Sequence, residues 1–187
     1  MGYDNNLRLY EIATGAESGT WGTKTNLNLA LIAQSLGYNT QQCFGSDADA
    51  TTEVADGATD PARALYFKVT SAGSLTATRN LTIDPNDMSR VMIIENATSG
   101  GQSIAISQGT TGGSGSKVTI ANGKNAVIYL DGAGTANANV VDAFANLKIG
   151  PSLTVGDAAA EDTKIVFDGN AQDYYVGLDD TADDLVI

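Results

Sequence analysis

Between Ala64 and Leu130 the apolar side chains come in short bursts, none long enough to make an amphipathic helix. The bursts are Ala64–Val69, Leu81–Ile83, Val91–Glu95, Ser103–Ser107, Lys117–Ile120 and Asn125–Leu130. Turn-forming stretches separate them: Ser99-Gly100-Gly101, the run Gly109 to Ser116, and Asn122-Gly123. Short β segments punctuated in this way predict a sandwich or barrel. Asn-Gly between two strand-like runs predicts a tight hairpin joining Lys117–Ile120 to Asn125–Leu130. The spacing therefore predicts a small antiparallel β-sandwich over residues 61–135.

The N-terminal region, 1–44, has a different grammar. Leu7 to Ile12 alternates apolar and polar residues, which predicts a strand with one buried face. A turn-rich loop, Gly15 to Gly22, carries the chain's only tryptophan, Trp21, between Gly19 and Gly22. Thr23 or Thr25 is positioned to cap a helix that runs to about Leu36, with Gly37 as its stop. Leu27 and Leu31 share one stripe of that helix, whereas Leu29, Ile32, Ala33 and Leu36 fill another. Two apolar stripes predict burial on more than one side, and one short domain does not readily supply both covers. Part of the helix is therefore expected to pack on neighbouring chains. Residues 45–60 are polar and acidic, and are expected to form a linker.

Beyond residue 135 the pattern loosens. Val140, Ala143, Phe144 and Leu147 have helical spacing, but in a short, Asn-rich context. From Ile149 onward, apolar pairs are followed by Gly or Asp-Gly, and Leu153/Val155, Ile165/Phe167 and Val176/Leu178 alternate as strands do. None of these units is long enough to close a core alone; such units become stable when stacked or wrapped with other copies. The sequence ends inside strand-like Leu185-Val186-Ile187, and it is expected to be the N-terminal part of a longer protein.

Composition excludes several classes of chemistry. The chain has no histidine, so the commonest general base near neutral pH and the commonest metal ligand are missing. Ser-His-Asp and Cys-His catalysis are excluded with it. Cys43 is the single cysteine; it permits neither an intrachain disulfide nor a thiolate zinc site, and is expected simply to be packed. The net charge of −12 is concentrated at the two ends: −6 over residues 1–60, +1 over 61–145 and −7 over 146–187. Phosphate backbones and anionic membranes need basic patches, so neither nucleic acid nor a membrane surface is an expected partner. The polar opening, Met1 to Asn6, lacks a signal-peptide core, and no apolar run approaches the roughly 20 residues of a membrane span. A soluble product made in the cytoplasm is expected, with neither metal nor cofactor.

Three further patterns weaken on inspection. The acidic residues after Gly156 offer oxygen ligands for Ca²⁺, but Asp168-Gly169-Asn170 and Asp179 to Asp184 do not follow the EF-hand order. Gly112 to Lys117 lacks the Gly-Lys-Ser/Thr order of a phosphate loop and reads as a flexible connection. Asn80-Leu81-Thr82 and Asn96-Ala97-Thr98 fit the glycosylation sequon by chance. Trp21 is open to two readings. It is either a docking anchor, since Trp is enriched at interface hot spots, or a core residue packing the loop onto the helix.

The segment Glu17-Ser18-Gly19-Thr20-Trp21-Gly22-Thr23-Lys24-Thr25-Asn26-Leu27-Asn28 and the helix after it resemble the N-terminal part of tail-fibre proteins of marine short-tailed phages. Lys164 to Asp180 is similar to shaft sequence in marine phage structural proteins. The resemblance implies a homotrimer, made in the host cytoplasm and assembled into the virion tail. Its N-terminus would dock on tail adaptor or nozzle proteins, and a distal region would meet the host cell surface. The implied architecture is mainly β: a strand–loop–helix anchor over 1–44, the sandwich over 61–135, and an intertwined trimeric shaft beginning at 136–187. Trp21, Leu27, Leu31, Ile32 and Leu36 would form the docking and trimer interface. Ile149, Leu153, Val155, Ile165, Phe167, Val176 and Leu178 would form the shaft core. The expected function is mechanical linkage, not catalysis. The alternatives are a capsid or neck decoration protein, the N-terminal part of a carbohydrate-degrading tailspike, and a calcium-dependent adhesin.

Overall fold

The computed structural model describes residues 2–4, 6–109, 115–134, 137–148, 150, 155, 161–167 and 171–187. It is mainly β, with one α-helix and several sheets. The chain divides into two units, Met1–Asn146 and Leu147–Ile187.

The first unit begins with β1 (Gly2–Tyr3) and β2 (Tyr10–Glu11), then helix α1 (Trp21–Ser35). Strands β3 (Tyr38–Phe44), β4 (Ala50–Glu53), β5 (Tyr66–Ser71), β6 (Arg79–Asp84), β7 (Ser89–Asn96) and β8 (Ile104–Gln108) follow. The unit closes with β9 (Val118–Ile120), β10 (Asn125–Asp131) and β11 (Val140–Asp142). Successive strands from β3 to β8 go alternately to two sheets, ordered β11-β10-β7-β5-β3 and β4-β6-β8-β9. Each turn of the chain thus lays one strand on each sheet. The pairs β3–β5, β5–β7, β4–β6 and β6–β8 are all parallel. This corrects the antiparallel expectation, because among the described pairs of these two sheets only β8–β9, β7–β10 and β10–β11 are antiparallel. Parallel neighbours need a crossover between them, and here the strand of the opposite sheet provides it.

Alternation then sorts the side chains. Phe67 and Val69, Met92 and Ile94, and Ile128 and Leu130 point inward from the first sheet. They meet Leu81, Ile83, Ile104, Ile106 and Ile120 of the second, and all are buried in one core. Cys43 packs against this core, and burial pushes its thiol up to about 12. The first turn tapers. Where β5 has Phe67 and Val69, β3 has Asn39 and Gln41, and where β6 has Ile83, β4 has Thr52. The Thr52 hydroxyl donates to Gln41 Oε1 at 3.0 Å. Polar residues replace core residues because this turn has a neighbour on one side only, as in the capping repeats of stacked proteins.

Residues 45–60 are accordingly not a linker. They supply β4, and Val54 is buried in the core. The expected hairpin at Asn122-Gly123 is also corrected. A turn forms, with Gly123 at φ 73° and the Lys124 amide donating to Ala121 O at 3.1 Å. Its flanking strands, however, enter different sheets. Asn96 and Asn122 explain the change. Buried Asn96 donates to Gln102 O and Ile120 O, both at 3.0 Å, and the Asn122 amide donates to Thr98 O at 2.6 Å. These bonds hold the turn as a corner between sheets.

The N-terminal strand is shorter than Leu7–Ile12. Arg8, at φ 53°, turns the chain, and its guanidinium pairs with Asp56 at 2.6 Å and Asp87 at 3.3 Å. Arg63, fully buried in the 3-10 turn Pro61–Arg63, donates to Leu7 O, Ala55 O and Ala58 O. One guanidinium therefore ties the N-terminal loop to the loop after β4.

The described residues of the second unit contain an antiparallel sheet of β12 (Thr163–Phe167), β13 (Tyr174–Asp179) and β14 (Asp184–Val186).

Charge placement makes a pH prediction. The Arg79 guanidinium, then Thr76, hold the Asp47 carboxyl well below the usual range, and Lys68 lowers the pKa of Glu95. A carboxylate with a depressed folded pKa stabilises above its unfolded value, near 4, and that contribution is lost as pH falls through the folded value. Burial raises Asp60 and Asp84, so acid relieves those two and offsets part of the loss. The urea midpoint is expected to hold from pH 7 to 5 and to fall between about pH 4 and 2. A midpoint unchanged at pH 2 would contradict this.

Candidate functional site

Helix α1 forms because Glu17 organises the turn before it. Gly19 adopts φ 82°, the Trp21 amide donates to Glu17 O at 2.8 Å, and the Thr20 hydroxyl donates to Glu17 Oε2 at 2.6 Å. Tyr10 Oη donates to the other Glu17 oxygen at 2.7 Å. The bonds from Thr20 and then Tyr10 lower the Glu17 pKa. The helix therefore starts at Trp21 after Thr20, ahead of the expected caps at Thr23 or Thr25. It ends as expected: Leu36 is the C-cap, and the Gly37 amide donates to Gln34 O at 3.1 Å.

One side of α1 is covered by its own chain. Leu31 and Ser35 are buried, and Leu27 is half-buried. Gln34 Oε1 accepts the Asp60 amide at 3.3 Å. The Asn28 side chain makes two hydrogen bonds with the β2 backbone, accepting the Tyr10 amide at 3.0 Å and donating to Tyr10 O at 2.9 Å. Lys24, the helix's one charged residue, lies 4.9 Å from the Tyr10 ring centroid. The other side has no cover among the described residues of its unit. Trp21 is 63% exposed, Leu29 59% and Leu36 72%, and Ile32 is half-buried between them.

The five expected interface residues thus separate. Leu27 and Leu31 face the body of their own unit, whereas Trp21, Ile32 and Leu36 lie toward the outside. Trp21 is not the core residue that one reading allowed. Leu29 joins the outer group, and its place in the Leu29–Ile32–Leu36 spacing was already visible in the sequence. Asn28 as the bridge to β2 had no sequence signal, because a lone Asn on a helix has many partners.

In the second unit Ile165 and Phe167 lie on β12, and Val176 and Leu178 on β13. Register sets Ile165 opposite Val176, Phe167 opposite Tyr174, and Leu178 opposite Leu185. Directly opposed residues share a face, so these six side chains form one continuous apolar face. All six are 36–70% exposed, and no described residue of 161–187 is buried. Val155 is also exposed, whereas Ile149 and Leu153 lie outside the described residues. The opposite face is mixed, with Val166, Tyr175 and Val186 beside Lys164 and Asp179. Lys164 sits 5.7 Å from the Tyr175 ring centroid, beside a cleft of about 160 Å³ also lined by Asp162 and Asp179.

The acidic residues here close turns. Asp179 Oδ1 accepts the Ala182 amide at 3.0 Å, and Asp162 Oδ1 accepts the Asp180 amide at 3.1 Å. Among the described residues no three carboxylate or thiol groups converge as metal ligands would. The buried, fully bonded Asn96 side chain has no access for a glycan. Part of Gly112–Lys117 lies outside the described residues, and Val118–Ile120 is strand β9.

Compared with known proteins, the chain matches no family model, and no curated protein or solved structure is significantly similar to it.

Proposed function

We propose that this chain is a structural protein of a phage virion: the N-terminal anchor and proximal shaft of a homotrimeric tail fibre. The observation that carries the reading is the uncovered apolar face of β12–β14. Ile165, Phe167, Tyr174, Val176, Leu178 and Leu185 share one side of a sheet that has no buried side chain among the described residues. Covering such side chains is worth roughly 1.5–3 kcal/mol each, and symmetric copies of the same sheet supply that cover, closing an intertwined shaft. The two facing sheets of the first unit then form a small sandwich-like body that follows the anchor in the sequence. The resemblance of Glu17–Asn28 and Lys164–Asp180 to tail-fibre sequence supplies the biological context. Docking on the tail adaptor or nozzle falls to the α1 end, where Trp21 is the exposed hot-spot residue. Host contact falls to the distal part of such a fibre.

Light scattering on the 1–187 protein tests the assembly: the expected mass is three chains, and a stable monomer would sink the shaft reading in favour of a decoration module. Docking is tested with tails stripped of fibres. The 1–187 protein is expected to bind them, and Trp21→Ala to weaken binding about tenfold or more. Equal binding by both would remove Trp21 from the interface.

A further inference from the structure

The geometry points to the outer face of α1 as a parallel three-helix seam between copies of this chain, with Gly22, Leu29 and Leu36 at a positions and Thr25 and Ile32 at d positions. The inference deepens the trimeric reading above and rests on it. The intervals 22-25-29-32-36 alternate three and four residues, which is the spacing that keeps one stripe facing a partner helix. At 100° per residue these positions fall within one arc. Leu27, Leu31 and Ser35, the residues turned to the body, fall on the other side. The N-terminal strand occupies the Asn28 flank, bonded through Tyr10, and leaves the arc open.

Three observations select copies of this chain as the occupant. The arc carries no charge: Lys24, the one charged residue of the helix, lies over Tyr10. Helix faces that meet water normally carry charges, and a charged partner would find no complement here. Leu29 and Leu36 are 59% and 72% exposed, while Ile32, Thr25 and Gly22 are half-buried, so the arc has apolar surface left to cover. Finally, Leu at a with Ile at d favours trimers or tetramers over dimers. That preference is compatible with the trimer proposed above. Gly22 at the first a position lets the helices approach closely at their N-termini. Trp21 flanks this point, outside the a and d positions, and so remains available to the tail.

The test uses the full 1–187 chain. Sedimentation equilibrium is expected to show a trimer whose dissociation is promoted about a hundredfold or more by Leu29→Asp, whereas Ala30→Asp, exposed but off the arc, leaves it unchanged. If Leu29→Asp fails to fold, cysteine pairs decide. In a Cys43→Ser background, Leu29→Cys is expected to cross-link between chains with a short bis-maleimide, and Ala30→Cys is not. A wild-type monomer overturns both the trimeric reading and the seam. A wild-type trimer that tolerates Leu29→Asp as well as Ala30→Asp, or cross-links equally at both positions, overturns the seam alone.

Discussion

Replacing Arg63 with Met is expected to lower the unfolding free energy of the first unit by about 3–5 kcal/mol, the range for removing one member of a buried charged network. Arg63 has no solvent exposure. Its guanidinium serves Leu7 O from the N-terminal loop and Ala55 O and Ala58 O from the loop after β4, and it lies 3.4 Å from the Asp60 carboxylate. Its own carbonyl accepts from Arg90. Methionine fills part of the volume but strands those carbonyls and the half-buried Asp60 charge. Hydrogen bonds to charged groups are worth roughly 1.5–3 kcal/mol each, so losing several is not offset by an apolar replacement. Lysine is not expected to rescue, because a point ammonium does not reproduce the planar fork that reaches separate loops. Urea denaturation followed by circular dichroism measures the change. A loss below about 1 kcal/mol would show that the two loops are held by other means.

Phe67→Ala is expected to cost about 3–5 kcal/mol, whereas Phe167→Ala costs under about 1 kcal/mol in unassembled protein. Both residues are strand phenylalanines in alternating patterns. Phe67 is fully buried on β5, between β3 and β7, and faces the shared core. Its removal leaves a cavity whose walls are strands paired on both sides, which have little freedom to collapse. Phe167 is 59% exposed and has little burial to lose until another surface covers it. In the assembled fibre proposed above the difference should shrink, with Phe167→Ala loosening the trimer. Equal losses at both positions in unassembled chain would mean that β12–β14 has a cover within the monomer.

Much of the local structure was legible. Strands β5 to β10 each overlap a burst of apolar residues, and α1 ends where Gly37 marks its stop. What was not legible depends on partners distant in sequence. Strands β3 and β4 have no apolar alternation, since Asn39, Gln41 and Thr52 close the polar end of the core. The sequence around β4 therefore looks like a linker. Asn122-Gly123 carries a hairpin signal, but buried Asn96, distant along the chain, turns it into a corner. Arg63 is one arginine among ten basic residues; only the folded positions of Leu7, Ala55 and Ala58 make it a hub.

The same division holds at the candidate site. The sequence by itself determined that α1 has two apolar stripes and that β12 and β13 alternate, because periodicity states which residues share a face. It also excluded histidine-based chemistry through composition. Only the tertiary structure decided which stripe is covered. Leu27 and Leu31 meet the body because the bonds from Asn28 to Tyr10 and from Asp60 to Gln34 orient the helix, and Leu29 and Leu36 are left outside by the same rotation. Likewise, pairing and not pattern places Ile165, Val176, Leu178 and Leu185 on one continuous face. A one-dimensional pattern records what a segment needs to bury; which surface meets that need is set by contacts between segments that the sequence holds far apart.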